Sequence, residues 1–70
     1  MALGDNIRRK REEYELEQKE LAERVGVSKG AMSGYESGFK VPGVETLVKI
    51  ADALHCSVDE LLGRDVRKGA

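Results

Sequence analysis

Apolar side chains recur at helical spacing in several short stretches of the chain. In the stretch that begins at Gln18, the residues Leu21, Ala22 and Val25 fall on one side of a helix. Gly26 follows directly, and a glycine in the left-handed conformation commonly ends a helix. The pattern therefore predicts a short helix that buries one face and stops at the glycine.

The helix that begins at Gln18 is the second of the chain. A third helix is predicted immediately after it, over about residues 29–37, although the composition of this segment disfavours a helix. Ser28 is a suitable N-cap for it. Gly30 and Gly34, however, each cost about 1 kcal/mol relative to alanine in a helix interior. The segment is expected to be helical only because its apolar residues pack against the rest of the protein.

The first and fourth helices are predicted from caps and spacing. The first runs from about Asp5, a suitable N-cap, to Tyr14. The loop before the fourth helix contains Pro42, and the residue before a proline resists the helical conformation. The apolar positions expected to face inward from the fourth helix are Val44, Leu47, Ile50, Ala51 and Leu54.

The fifth helix is predicted from a capping box, in which Ser57 caps the helix and Glu60 reaches back to it. It is expected to end at Gly63. His55, just before it, is expected to adopt a positive φ. The chain is thus predicted to form one domain over residues 1–63, followed by a polar, frayed tail over residues 64–70.

Composition narrows the possible functions. The chain has 70 residues, one cysteine (Cys56) and one histidine (His55), so neither an intrachain disulfide nor a metal site is expected. The sequence has no run of apolar residues that could span a membrane or serve as a secretory signal, which favours a cytoplasmic protein without a membrane partner. It offers no paired nucleophile and base and too little chain for a deep pocket, so we expect neither an enzyme nor a cofactor or small-molecule ligand.

The most informative stretch is QKELAERVGVSKGAMSGYES, from Gln18 to Ser37. Two helices joined by a short turn that contains glycine define a helix-turn-helix. With PGVETLVKIA and SVDELL further along, the sequence from Ile7 to Leu62 resembles the phage repressor/Cro-like family, also called XRE-type. The resemblance implies an all-α, five-helix, lambda-repressor-like domain. It also implies a transcriptional regulator, most often a repressor, that acts as a homodimer and inserts its third helix into the major groove of double-stranded DNA.

The resemblance further implies roles for individual residues. Arg11 and Glu36 would form a structural ion pair; the alternative is two independent surface charges. The residues implied to contact DNA are Gln18, Lys29, Gly30, Ser33, Gly34, Lys40 and Thr46. The residues implied to form the dimer interface, with a role in the monomer core as the alternative, are Leu54, Val58, Leu61 and Leu62.

The predicted DNA-reading face is unusually bare, because Gly34 stands where relatives commonly carry a long polar or basic side chain. We therefore expect modest base specificity, supplemented by DNA shape. The net charge is −1, but the acidic excess lies in residues 44–63, and the predicted recognition surface carries Lys29 and Lys40. Few phosphates would be neutralised per subunit, so a monomer is expected to bind weakly, which is a further reason to expect a dimer. An alternative is a protein-interaction module of the same fold, such as an antitoxin or the partner of an anti-repressor, with DNA binding secondary.

Overall fold

A computed structural model describes residues 3–63 of the chain, which form five α-helices. The predicted all-α, five-helix architecture is confirmed for these residues. The tail predicted for residues 64–70 lies outside the described residues. The helices are α1 (Leu3–Glu13), α2 (Gln18–Val25), α3 (Lys29–Ser37), α4 (Val44–Ala53) and α5 (Val58–Leu62).

The caps predicted from sequence set most of these boundaries. Gly26 ends α2 with a φ of 86°, in the left-handed region. The hydroxyl of Ser28 accepts a hydrogen bond of 3.0 Å from the amide of Ala31 and so begins α3. Ser57 and Glu60 form the predicted capping box of α5, with hydrogen bonds of 2.9 and 3.0 Å. Local side-chain chemistry therefore fixes where three helices start or stop.

The start of α1 differs from the prediction. The helix begins at Leu3, so Asp5 lies in its first turn instead of capping it. Gly4 is buried, and a Cβ there would lie 2.5 Å from the carbonyl oxygen of Tyr35 and would also overlap that of Glu36. The extra turn exists because a residue without a side chain lets α1 pack directly against the backbone at the end of α3.

The core lies where the five helices meet. Helix α3 packs against α1 and α2, α4 packs against α2, and α5 packs against α1 and α4. The buried apolar residues are Ile7, Leu21, Ala22, Val25, Met32, Ile50, Ala51, Leu54 and Leu61. None of the helices within residues 3–63 is long and apolar enough to cross a membrane.

One apolar residue predicted to face inward does not. Val44 is 80% exposed, because it is the first residue of α4 and projects beyond the core. Tyr14, predicted as the end of the first helix, lies just after α1 and is about half exposed. Its ring makes an edge-on contact with that of His55, whose φ of 55° is positive as predicted.

Candidate nucleic-acid interface

The turn between α2 and α3 is held by backbone hydrogen bonds to a single carbonyl. The amides of Gly26 and Val27 donate to the oxygen of Ala22 over 2.9 and 3.0 Å. Ala22 is itself buried. The two helices are therefore joined by a turn that their own backbones close, and α3 is presented at a fixed angle to α2.

Helix α3 has one buried side and one open side. Met32 and Glu36 are buried, and Tyr35 is half-buried. The exposed residues recur at intervals of three to four, so they form one stripe along the helix. That stripe consists of Lys29, Gly30, Ser33 and Ser37. An α-helix of this kind fits a B-DNA major groove, which is about 12 Å wide.

A bidentate ion pair fixes the buried side of α3 to α1. Arg11 Nε lies 2.7 Å from Glu36 Oε2, and Arg11 Nη2 lies 3.1 Å from Glu36 Oε1. Their side chains are only 12% and 4% exposed. The third donor of the guanidinium, Nη1, bonds the carbonyl oxygen of Leu16 over 2.7 Å. This pair is therefore part of the scaffold, as the resemblance implies, and its charges are engaged within the protein.

Gln18 joins the same network. Its side-chain amide donates to Glu36 Oε1 over 3.2 Å. Gln18 is the first residue of α2 and is half-buried. Because the amide group has two N–H donors and a carbonyl oxygen, this one bond orients the side chain and leaves polar atoms for another partner.

Two other residues that the resemblance implies to contact DNA, Lys40 and Thr46, lie at separate positions in the fold. Lys40 is exposed in the loop between α3 and α4. Thr46 is half-buried in the first turn of α4. The N-cap of α4 is Gly43, so the first amides of that helix receive no side-chain cap from it. Uncapped amides at a helix N-terminus favour anionic ligands such as phosphate.

Gly34 lies on the same side of α3 as Gly30 but is not exposed, which corrects one part of the prediction. The residue is buried, and the Cγ and Cδ atoms of Lys40 lie 3.2 Å from the position that a Cβ of Gly34 would occupy. The methylene groups of the lysine thus cover the glycine. A base edge would meet the Lys40 side chain there before it met the glycine.

The predicted dimer interface also needs correction. Leu54 and Leu61 have no exposed surface, so their side chains have nothing left to bury against a second subunit. They belong to the monomer core, which was the alternative. Val58 and Leu62 are half-buried and keep some free surface.

Sequence reasoning did not predict an exposed apolar set in the α3–α4 loop and at the first residue of α4. Phe39, Val41 and Val44 are 84%, 81% and 80% exposed. The signal for it in the sequence is the loop itself, residues 38–43, in which Lys40 is the only charged side chain and Phe39 and Val41 are apolar.

No group of histidine, cysteine and carboxylate side chains within residues 3–63 is arranged to hold a metal ion. Cys56 is a half-buried free thiol between α4 and α5. Burial raises its pKa, and the nearby negative charge of Glu60 raises the pKa further.

A family model described as helix-turn-helix matches residues 7–61. The chain is 41% identical over 64 residues to the cryptic phage CTXphi transcriptional repressor RstR of Vibrio cholerae, covering 91% of this chain and 57% of that protein. It is 34% identical over 65 residues to the transcriptional regulator ImmR of Bacillus subtilis, covering 93% of this chain and 51% of that protein. The chain thus spans little more than half the length of these relatives.

The fold also matches a solved structure closely. The crystal structure of the P22 c2 repressor protein in complex with a synthetic operator superposes with a TM-score of 0.87 at 37% sequence identity. The match covers 93% of this chain and 98% of that one.

Proposed function

The chain belongs to the XRE-type helix-turn-helix family, and we propose that it is a transcriptional regulator, acting as a repressor, that binds double-stranded DNA through α3. The observation that carries the proposal is the two-sided character of α3. One side is buried and ion-paired, whereas Lys29, Gly30 and Ser33 remain exposed. The likeness to a P22 repressor in complex with a synthetic operator supports the same assignment.

In this proposal α3 enters the major groove and the surrounding residues contact phosphates. Lys29 and Ser33 lie against base edges or adjacent phosphates, and Gly30 allows close approach of the backbone. Gln18, Lys40 and Thr46 position the domain on the DNA backbone, which fixes register but reads no sequence. Because the exposed stripe carries only one long side chain, most of the specificity comes from DNA shape.

A homodimer is part of the proposal. Each subunit offers two exposed lysines near α3, Lys29 and Lys40, so a monomer neutralises few phosphates and binds weakly. Two subunits double that number and read two half-sites one helical turn apart. Val58 and Leu62 are the members of the predicted interface that retain free surface. We place the protein in the cytoplasm, where bacterial and phage regulators meet DNA, and assign it no enzymatic activity.

A second candidate function is a protein-interaction module in which DNA binding is secondary. Two observations favour it: the sequence pI of about 5.8, and the exposed apolar set of Phe39, Val41 and Val44. An acidic protein gains little from general attraction to DNA. Exposed apolar groups are typical of protein contacts.

Titration against selected and random duplex DNA at several salt concentrations separates the two functions. We expect Lys29→Ala and Lys40→Ala each to weaken binding and to reduce the salt slope by about 0.9 for each phosphate that is no longer neutralised. Lys49→Ala, at an exposed position on α4, is the matched control and should leave the affinity and the salt slope unchanged. If no selected duplex binds at low salt, or if binding is insensitive to both substitutions in the α3 region, the regulator proposal is wrong.

A further inference from the structure

Two glycines on the same side of α3 have opposite environments. Gly30 and Gly34 are four residues apart, so they lie one above the other along the helix. Gly30 is exposed, and a Cβ there would meet nothing closer than the Ser28 hydroxyl at 3.9 Å. Gly34 is buried, although it precedes an open loop. What covers it is the side chain of Lys40.

The contact between Gly34 and Lys40 involves both side chain and backbone. Three methylene carbons of the lysine, Cβ, Cγ and Cδ, lie 3.5, 3.2 and 3.2 Å from the position of a Cβ on Gly34. The amide of Lys40 donates to the carbonyl oxygen of Gly34 over 3.0 Å. That oxygen also accepts a hydrogen bond of 3.2 Å from the hydroxyl of Ser37. Because this hydrogen bond holds the Lys40 backbone close to residue 34, the backbone of Lys40 cannot move away from a side chain added there.

This arrangement restricts the methylene groups of Lys40, the stem of a long and flexible side chain. A lysine on an open loop samples many rotamers, and fixing them on binding opposes association. Here the methylene groups already pack on α3 while the residue as a whole stays exposed, so the ammonium group remains in solvent. Helix propensity disfavours glycine at this position, so local stability does not explain it.

We propose that Gly34 is a positioning residue for Lys40. Because Gly34 has no side chain, the methylene groups of Lys40 can pack on α3. This packing directs the lysine ammonium group toward the DNA phosphates that flank the groove occupied by α3. The inference rests on the proposed DNA-binding function. It replaces the base-facing role first expected of Gly34 with an indirect one that acts through Lys40.

The test compares two substitutions at position 34. Gly34→Ala adds one methyl group against the stem, and Gly34→Leu fills the space that the stem occupies. In the free protein, nuclear Overhauser contacts between the α-protons of residue 34 and the Lys40 methylene protons are expected to weaken with Ala and vanish with Leu, because the added side chain stands between them. In DNA titrations, Gly34→Leu is expected to reduce the salt slope by up to about 0.9 per subunit, which is about 3-fold in affinity over a four-fold change in salt. Ala should give a smaller change in the same direction.

A Lys40→Met background separates positioning from steric blocking. Methionine keeps an apolar stem on Gly34 but removes the charge, so Gly34→Leu should change the salt slope little in that background. Gly30→Ala serves as the control for helix propensity in the stability measurements. Thermal unfolding checks that each variant is folded at the titration temperature, and Gly34→Ala alone carries the test if the leucine variant is not.

The possible outcomes distinguish the two proposals. If the unsubstituted protein shows no salt-dependent binding to DNA, the proposed function fails. If it binds but folded variants at position 34 keep its salt slope, Gly34 does not position Lys40. If Gly34→Leu weakens binding equally with Lys40 present and in the Lys40→Met background, the added side chain blocks DNA directly, and the inference is likewise overturned.

Discussion

The two sides of α3 differ in their contacts: one packs against the rest of the protein, and the other is exposed. The buried side is held by Met32 in the core and by Glu36, whose carboxylate bonds both Arg11 and Gln18. The open side carries Lys29, Gly30 and Ser33, which are all exposed. The contacts on the buried side therefore fix the position of α3, and the residues on the open side remain accessible to a binding partner.

The largest effect is expected from removing the buried ion pair. In Glu36→Ala the Arg11 guanidinium, whose side chain is only 12% exposed, loses its counter-charge. We expect the free energy of unfolding, measured by urea denaturation, to fall by about 3 kcal/mol or more.

The matched control is an exposed pair on α1. Arg8 Nη2 lies 3.8 Å from Asp5 Oδ1, and both side chains are more than half exposed. Arg8→Ala should change the free energy of unfolding by less than about 1 kcal/mol, because water screens such pairs. If the two variants lose the same stability, the buried side of α3 does not depend on its ion pair.

The next effect concerns the close approach of α1 to α3. Gly4→Ala would place a methyl group against the carbonyl oxygens of Tyr35 and Glu36. These atoms belong to the backbone and cannot rotate away, so α1 must shift. We expect a loss of about 1–3 kcal/mol in the free energy of unfolding, as for other overpacked sites. Chemical denaturation measures it, and a neutral result would mean that the first turn of α1 packs loosely.

The same substitution on the open side should have the opposite sign. Gly30→Ala adds a methyl group where there is room for it, and alanine favours helix by about 1 kcal/mol over glycine. We expect the free energy of unfolding to rise by up to that amount. Gly4→Ala and Gly30→Ala together compare the two environments with one chemical change, and a loss of stability in both would contradict the contrast.

Spacing and caps in the sequence predict what depends on neighbours along the chain, but they do not show how separate segments pack. The Arg11–Glu36 pair, which joins α1 to α3, was implied only by the resemblance to a known family. The caps at Ser28, Ser57 and the glycine after α2 are local, and all lie where predicted. The covering of Gly34 by Lys40 depends on how the loop folds back, which spacing does not reveal. Likewise, Leu54 and Leu61 have the apolar character of either a core or an interface, and only the packing of five helices decides between them.

The smallest effect lies away from α3, at Cys56. Burial raises the pKa of this thiol, and the charge of Glu60 raises the pKa further, while Lys10 lowers it. The thiolate is the reactive form, so the midpoint of the alkylation rate against pH should be higher in the native protein than in denaturant. Since the folded-state pKa is the higher one, the stability that this thiol contributes is complete below the unfolded-state pKa. That stability is lost as the pH rises through the folded-state value.

Glu60→Gln tests the order of these causes, because glutamine preserves a capping box while removing the charge. We expect the native midpoint to fall but to remain above that in denaturant, since burial is the larger cause. A native midpoint equal to that in denaturant would mean that Cys56 is open to water. In that case Cys56, between α4 and α5, would be as accessible to water as the open side of α3.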